Sequence, residues 1–178
     1  MPEEIEVPIE KLHESIQEEA EKAGEKWIFM VALSTAIIAV FAALCSLMAG
    51  HHANEALIEQ IQSSDQWAYY QAKGIKAAVL DSKIETLQAL GKQTSAKDEE
   101  KINSYKKEQK EIEEKAREKE KSSSLHLTSH NILAKAVTVF QIAIAVSAIA
   151  VLTRRKWLWY GSGVLGLMGL IFLLQELL

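Results

Sequence analysis

An all-α fold is predicted: three transmembrane helices with a long antiparallel, coiled-coil-like helical hairpin inserted between spans 1 and 2. Three observations predict it. Residues 27–50 carry no charge and, at about 1.5 Å per residue, extend roughly 36 Å, enough to cross a bilayer core of about 30 Å. Two further apolar stretches, 132–152 and 157–176, stand near the other end of the chain. Between them residues 51–131 are highly charged, dominated by helix-favouring side chains and free of proline, whose only two copies precede residue 10.

The totals narrow the function classes. The chain has 178 residues and a net charge of −4, too small to point to nucleic acid as a partner. Residues 1–26 hold nine acids against three lysines, so anionic head groups repel this arm, whereas residues 51–132 balance fourteen acids with thirteen bases. Cys45 is the only cysteine, which excludes an intramolecular disulfide, and inside the first span it reads as a small packing residue. The acidic arm 1–26 does not read as a secretory signal, because the apolar run behind it exceeds a signal-peptide core. Ile9, Leu12, Ile16, Ala20 and Ala23 recur at helical spacing and predict a short amphipathic helix after Pro8.

In span 1 (27–50), Ala32, Ala36, Ala39, Ala43, Ser46 and Gly50 form a stripe of small side chains, with Phe29, Ile37, Val40, Leu44 and Leu47 on other faces. Close approach of backbones drives helix association in lipid, so the stripe predicts packing against a helix of the same or a neighbouring subunit. From Gly50 the chain passes into a helix-forming run ending near Leu90, with an irregular apolar stripe at Ala53, Leu57, Ile61, Ala68, Ile75, Val79, Leu87 and Leu90. Residues 91–95 read as the turn, with Gly91 ending one helix and Ser95 and Asp98 resembling a capping box for the next. The returning helix has a heptad-like seam at Ile102, Tyr105, Gln109, Ile112 and Ala116, expected to face its antiparallel partner. Residues 122–124, three serines, are its weak point.

Span 2 (132–152) offers Ala136, Ala143, Ser147 and Ala150 as a packing face, and Gln141 as a polar group that prefers a helix partner to lipid. Residues 153–156 form a basic hairpin loop, followed by Trp157, Trp159 and Tyr160 at interface depth. Span 3 (157–176) closes the domain. Basic short loops favour the cytoplasm, so the amino terminus and residues 153–156 are expected inside a bacterial cytoplasmic (inner) membrane, and the hairpin and carboxyl terminus in the periplasm or exterior.

Candidate chemistry is sparse. Gly161, Gly163 and Gly166 match the dinucleotide-binding spacing, but they sit in an apolar span with neither a preceding strand nor an acidic ribose partner, so close helix contact is the better reading. His126 and His130, four apart on one helix, have metal-ligand spacing, with His51 and His52 as further candidates. Pairing about a turn centred near residue 93 sets His126 beside Ile61 and His130 beside Leu57, missing His51 and His52. Interfacial histidines are the competing reading, and no metal or other cofactor is assigned. Ser64 and Asp65 lack the base and orienter that a hydrolase needs. Trp67, Tyr69 and Tyr70 are costly to leave in water and are expected in an interface, with the second hairpin helix or another subunit.

Glu25-Lys26-Trp27, the run Gly50-His51-His52-Ala53-Asn54-Glu55-Ala56 and residues 64–73 together resemble the bacterial membrane-protein family catalogued as domain of unknown function 4337. The resemblance extends over most of the chain and implies a small protein with three spans and a coiled helical insert. It implies no activity, substrate or catalytic residue. The expected function is non-enzymatic: an integral membrane protein that self-assembles as a scaffold, through Trp67, Tyr69 and Tyr70 of the hairpin and Ala36, Ala39 and Ala43 of span 1. The expected partners are lipid and further copies of the chain, with no nucleic acid and no small-molecule substrate. The alternative is a pore or transport component built from the same oligomer, lined by Gln141 or the span-3 glycines.

Overall fold

The computed structural model describes Glu14 and residues 26–177, so the amphipathic helix expected after Pro8 lies outside the described residues. Among these there is no strand, and three helices follow one another: α1 (Lys26–Ala89), α2 (Ala96–Thr153) and α3 (Lys156–Leu177). Each contains a window long and apolar enough to cross a membrane. The serines 122–124 do not weaken α2 visibly, because Ser123 is buried and its Oγ donates to the Ala56 carbonyl at 2.8 Å.

Two helix ends share one solution. After α1 the Gly91 N–H donates to the Gln88 carbonyl and the Lys92 N–H to the Leu87 carbonyl, with Gly91 left-handed at φ 66°. After α2 the Arg154 N–H donates to Val151 and the Arg155 N–H to Ala150, and here the left-handed residue is Arg154, at φ 52°. The reciprocal side-chain bonds of the capping box expected at Ser95 are not formed. The Asp98 N–H reaches the Ser95 carbonyl, while the Asp98 carboxylate is drawn away to Lys83 Nζ at 2.7 Å.

The chain divides into two compact units, one of residues 53–127 and the other comprising the residues up to 52 and from 128 onward. In the latter, Ile28, Val31 and Ala32 of α1 pack on Ala148 and Val151 of α2, joined by Trp159 of α3. A second cluster combines Ala42, Cys45 and Ala49 with Leu133, Ala136, Phe140 and Leu173. The small face expected on α2 is fully used, since Ala136, Ala143, Ser147 and Ala150 are all buried.

On α1 the packing face is rotated from the expected stripe. Of the stripe only Ala32 is buried, alongside Val31, Thr35, Ala42, Cys45 and Ala49, whereas Ala36 and Ala39 are half-buried and Ala43, Ser46 and Gly50 are exposed. Thr35 is tolerated in this face because its hydroxyl donates to the Val31 carbonyl at 2.7 Å within its own helix. Helix α3 approaches through its glycines: a Cβ on Gly169 would lie 2.6 Å from the Phe140 ring, and one on Gly166 would lie 3.1 Å from Ile38. Ser147 and Ser162, both buried, share a hydrogen bond of 2.5 Å, and Trp159 Nε1 donates to Ser34 Oγ at 3.1 Å.

The other unit is a pair of antiparallel arms. Ala56, Ser63, Tyr70, Ala77 and Ile84 recur every seven residues on one arm, facing Ile102, Gln109, Ala116 and Ser123 on the other. Small residues let the arms touch backbone to side chain: Ser63 Oγ donates to the Ala116 carbonyl at 3.0 Å, and Gln109 Nε2 to the Tyr70 carbonyl at 3.2 Å. This corrects the apolar stripe read from the sequence. Leu57, Ile61, Ile75, Val79 and Leu90 are all exposed, and of that stripe's leucines only Leu87 turns partly inward. Hydropathy misled because on the first arm the seam is built mostly from alanine, serine and tyrosine, with Ile84 its one isoleucine.

Candidate functional site

The centre of the 53–127 unit is an ionic and aromatic cluster. Tyr70 is placed inward by the seven-residue repeat and meets the Trp67 ring edge-on at 5.5 Å between centroids. Across the seam the Arg117 guanidinium lies over the Trp67 ring at 5.6 Å, held in place by Glu113 one turn back, at 2.9 Å. Lys73 pairs with Glu108 and sits between two rings, 5.2 Å from the Tyr69 centroid and 5.0 Å from that of Tyr105. The bond from Glu108 holds the Lys73 ammonium above its ordinary range, and the same bond from Lys73 holds the Glu108 carboxyl below its own.

Gly74 makes room for this layer, since a Cβ there would fall 2.8 Å from Gln109 Nε2. A second cross-arm pair, Lys119 to Glu59 at 3.0 Å, lies further along the seam. These groups tie one arm to the other.

Of the residues singled out from sequence, Trp67 and Tyr70 are thus engaged mainly within the hairpin, while Tyr69 remains 48 % exposed. The sequence places Lys73 among the polar residues around these aromatics, but Glu108, Ser63 and Ser123 were missed. The signal that finds the two serines is the strict seven-residue spacing, not hydrophobicity; Glu108 lies one residue off that series.

The histidine layer stands otherwise than expected. Ser123 meets Ala56 and Ser63 meets Ala116; extended, this register brings His126 level with Ala53, about two helical turns from Ile61. His130 is not beside Leu57: its Nδ1 donates to the Ala49 carbonyl at 2.9 Å. The pairing shifted because small seam residues, rather than the midpoint of the turn, set which levels meet. His52 Nε2 lies 3.9 Å from Glu176 Oε1, and the His51 and His52 rings are tilted 5.6 Å apart. Among the described residues no three His, Cys, Asp or Glu side chains gather as a metal ion requires.

The dinucleotide-like spacing resolves into helix contact. Ser162 and Gly166 face neighbouring helices, and Gly161 and Gly163 open onto empty space. Gln141 is half-buried.

These features define a class: an all-helical protein whose three helices are apolar enough for a membrane, with a charged helical unit of residues 53–127. The particular family follows from comparison. The chain belongs to the family described as domain of unknown function (DUF4337), whose model matches residues 27–178. No curated protein and no solved structure matches it.

Proposed function

We propose that the chain is a non-enzymatic membrane protein that crosses a bacterial inner membrane three times and self-assembles as a scaffold. In this reading the amino terminus and residues 153–156 are cytoplasmic, and residues 51–131 and the carboxyl terminus lie outside. The basic loop and the three apolar helices support the topology.

One observation carries the assembly. Leu57, Ile61, Ile75 and Val79 are 60 %, 53 %, 65 % and 63 % exposed, at helical spacing on one face of the charged hairpin unit. Tyr69 adds its half-exposed ring nearby. A water-exposed row of this kind is covered by a partner, and the partner proposed is a second copy presenting the same row. At about 1.5 Å per residue the row is roughly 33 Å long, and a helix about 10 Å wide gives roughly 330 Å2 per subunit. A stable interface needs about 800 Å2 per partner. The hairpin row alone is therefore insufficient, and the apolar helices must contribute. Ala43, Ser46 and Gly50, exposed on α1, are the residues that permit a close contact there, with Ala36 and Ala39 at its margin.

The test is the mass of the detergent-solubilised protein by light scattering. The wild type is expected as an oligomer, and Ile61→Asp with Ile75→Asp should drive it toward single subunits at unchanged helicity. A wild type that is already a single subunit, or a double variant of undiminished mass, refutes the assignment.

A further inference from the structure

The contact of Ile28, Val31 and Ala32 with Ala148, Val151 and Trp159 brings the start of α1, the end of α2 and the start of α3 to one place. There Lys26, Trp27, Arg154 and Lys156 line an open depression of about 610 Å3. We infer that this depression binds the phosphate of an anionic glycerophospholipid, an assignment that rests on the membrane reading above.

Four observations converge on it. Three cationic side chains line one cavity, and no ion pair among the described residues involves any of them. The amino terminus of the 22-residue helix α3 opens beside it, with no acidic residue in its first turn, so unpaired N–H groups add positive potential. Lys156 Nζ lies over the Trp27 ring at 5.7 Å, which fixes the ammonium at the wall of the depression.

The fourth is Arg154 itself. Its left-handed φ of 52° costs about 1 kcal/mol that glycine avoids, and glycine fills the equivalent place after α1. Arginine stands at a site where the backbone disfavours it, and its guanidinium is suited to two-pronged contact with a phosphate. Free phosphate shares the charge chemistry. The lipid is favoured because the depression has an indole wall and lies at the ends of apolar helices, where head groups and acyl chains meet.

The test is native mass spectrometry of the full-length chain released from detergent containing equal phosphatidylglycerol and phosphatidylcholine. The wild type is expected to retain phosphatidylglycerol preferentially. Arg154→Gln and Lys156→Gln should each reduce that preference roughly fivefold, the effect of one basic group near an anionic surface. Arg155→Gln removes the same charge from the same loop but from a residue outside the depression, and should leave the preference intact. Equal occupancy by both lipids, or equal loss in all three variants, overturns the site. Displacement of phosphatidylglycerol by inorganic phosphate overturns the lipid as its source. Resistance of the protein to alkaline extraction from vesicles is measured in parallel. A wild type that inserts but shows no lipid preference refutes the site alone, and a wild type that fails to insert refutes the membrane reading with it.

Discussion

Replacing Gly169 with alanine puts the packing of α3 to a quantitative test. A Cβ at this position would meet three ring atoms of Phe140 at 2.6, 2.7 and 2.9 Å, against an ordinary carbon separation of about 3.5–4.0 Å. Phe140 is fully buried and stacked on Phe41 at 6.2 Å, so its ring can yield only toward the cavity of about 180 Å3 that both rings line. Either that ring or helix α3 must then shift, with a loss of about 1–3 kcal/mol typical of an overfilled core. Alanine's better helix propensity returns about 1 kcal/mol, leaving a net loss of about 0–2 kcal/mol. At Gly161 and Gly163 a Cβ meets nothing within 4 Å, so the same substitution there brings only the propensity gain. The two kinds of variant should differ by about 1–3 kcal/mol, which is about 2–12 °C in Tm for a chain of this size. Thermal unfolding in one detergent, followed by circular dichroism, measures the difference. A Gly169→Ala protein as stable as Gly161→Ala would refute the close contact between α3 and Phe140.

Other outcomes follow from named contacts. Ser147→Ala strands the buried Ser162 hydroxyl and should cost about 1 kcal/mol, and Ser147→Ala with Ser162→Ala should cost less than the sum of the single changes in a double-mutant cycle. Gly91→Ala should lose about 1 kcal/mol, whereas Arg154→Gly should gain about as much in thermal unfolding while losing the preference for anionic lipid. The Lys73–Glu108 pair has a defined pH window. Glu108, with its folded value lowered, stabilises above the ordinary carboxylate range and loses that contribution as pH falls through the folded value. Lys73, with its folded value raised, stabilises below the ordinary ammonium range and loses it as pH rises through the folded value. The wild-type advantage over Glu108→Gln in hairpin melting should therefore persist between about pH 4 and pH 10 and shrink outside it. An advantage that is flat across that whole range would contradict the pairing.

Much of the helical plan could be read from the residues. Uncharged length marked the three apolar helices, proline's confinement to the amino terminus allowed long helices, and Gly91 marked the turn. The small face of α2 at Ala136, Ala143, Ser147 and Ala150 was equally plain, because in lipid small side chains have little role except contact. The hairpin seam was harder. Leu57, Ile61, Ile75 and Val79 drew the eye by hydropathy, yet the arms meet through Ala56, Ser63, Tyr70 and Ala77, where closeness matters more than apolar area. The histidine level was misplaced for a related reason: a turn's midpoint does not say how far one arm is displaced along the other. Trp67 and Tyr70 were recognised as needing cover, but the cover comes in part from Arg117, whose role depends on a residue fifty positions away. The basic depression depends on three chain segments meeting, which no local pattern records.

The cross-arm serine bonds of the hairpin all end on main-chain carbonyls, and every residue has one of those. Such bonds make the arms sticky at any setting that repeats the seven-residue spacing, so they alone do not prevent slippage. Charge does. Displacing one arm by a single repeat in either direction would take Lys73 from Glu108 and set it level with Lys101 or Lys115. Both missteps confront ammonium with ammonium, so the lysines act as detents that leave the hairpin one resting notch.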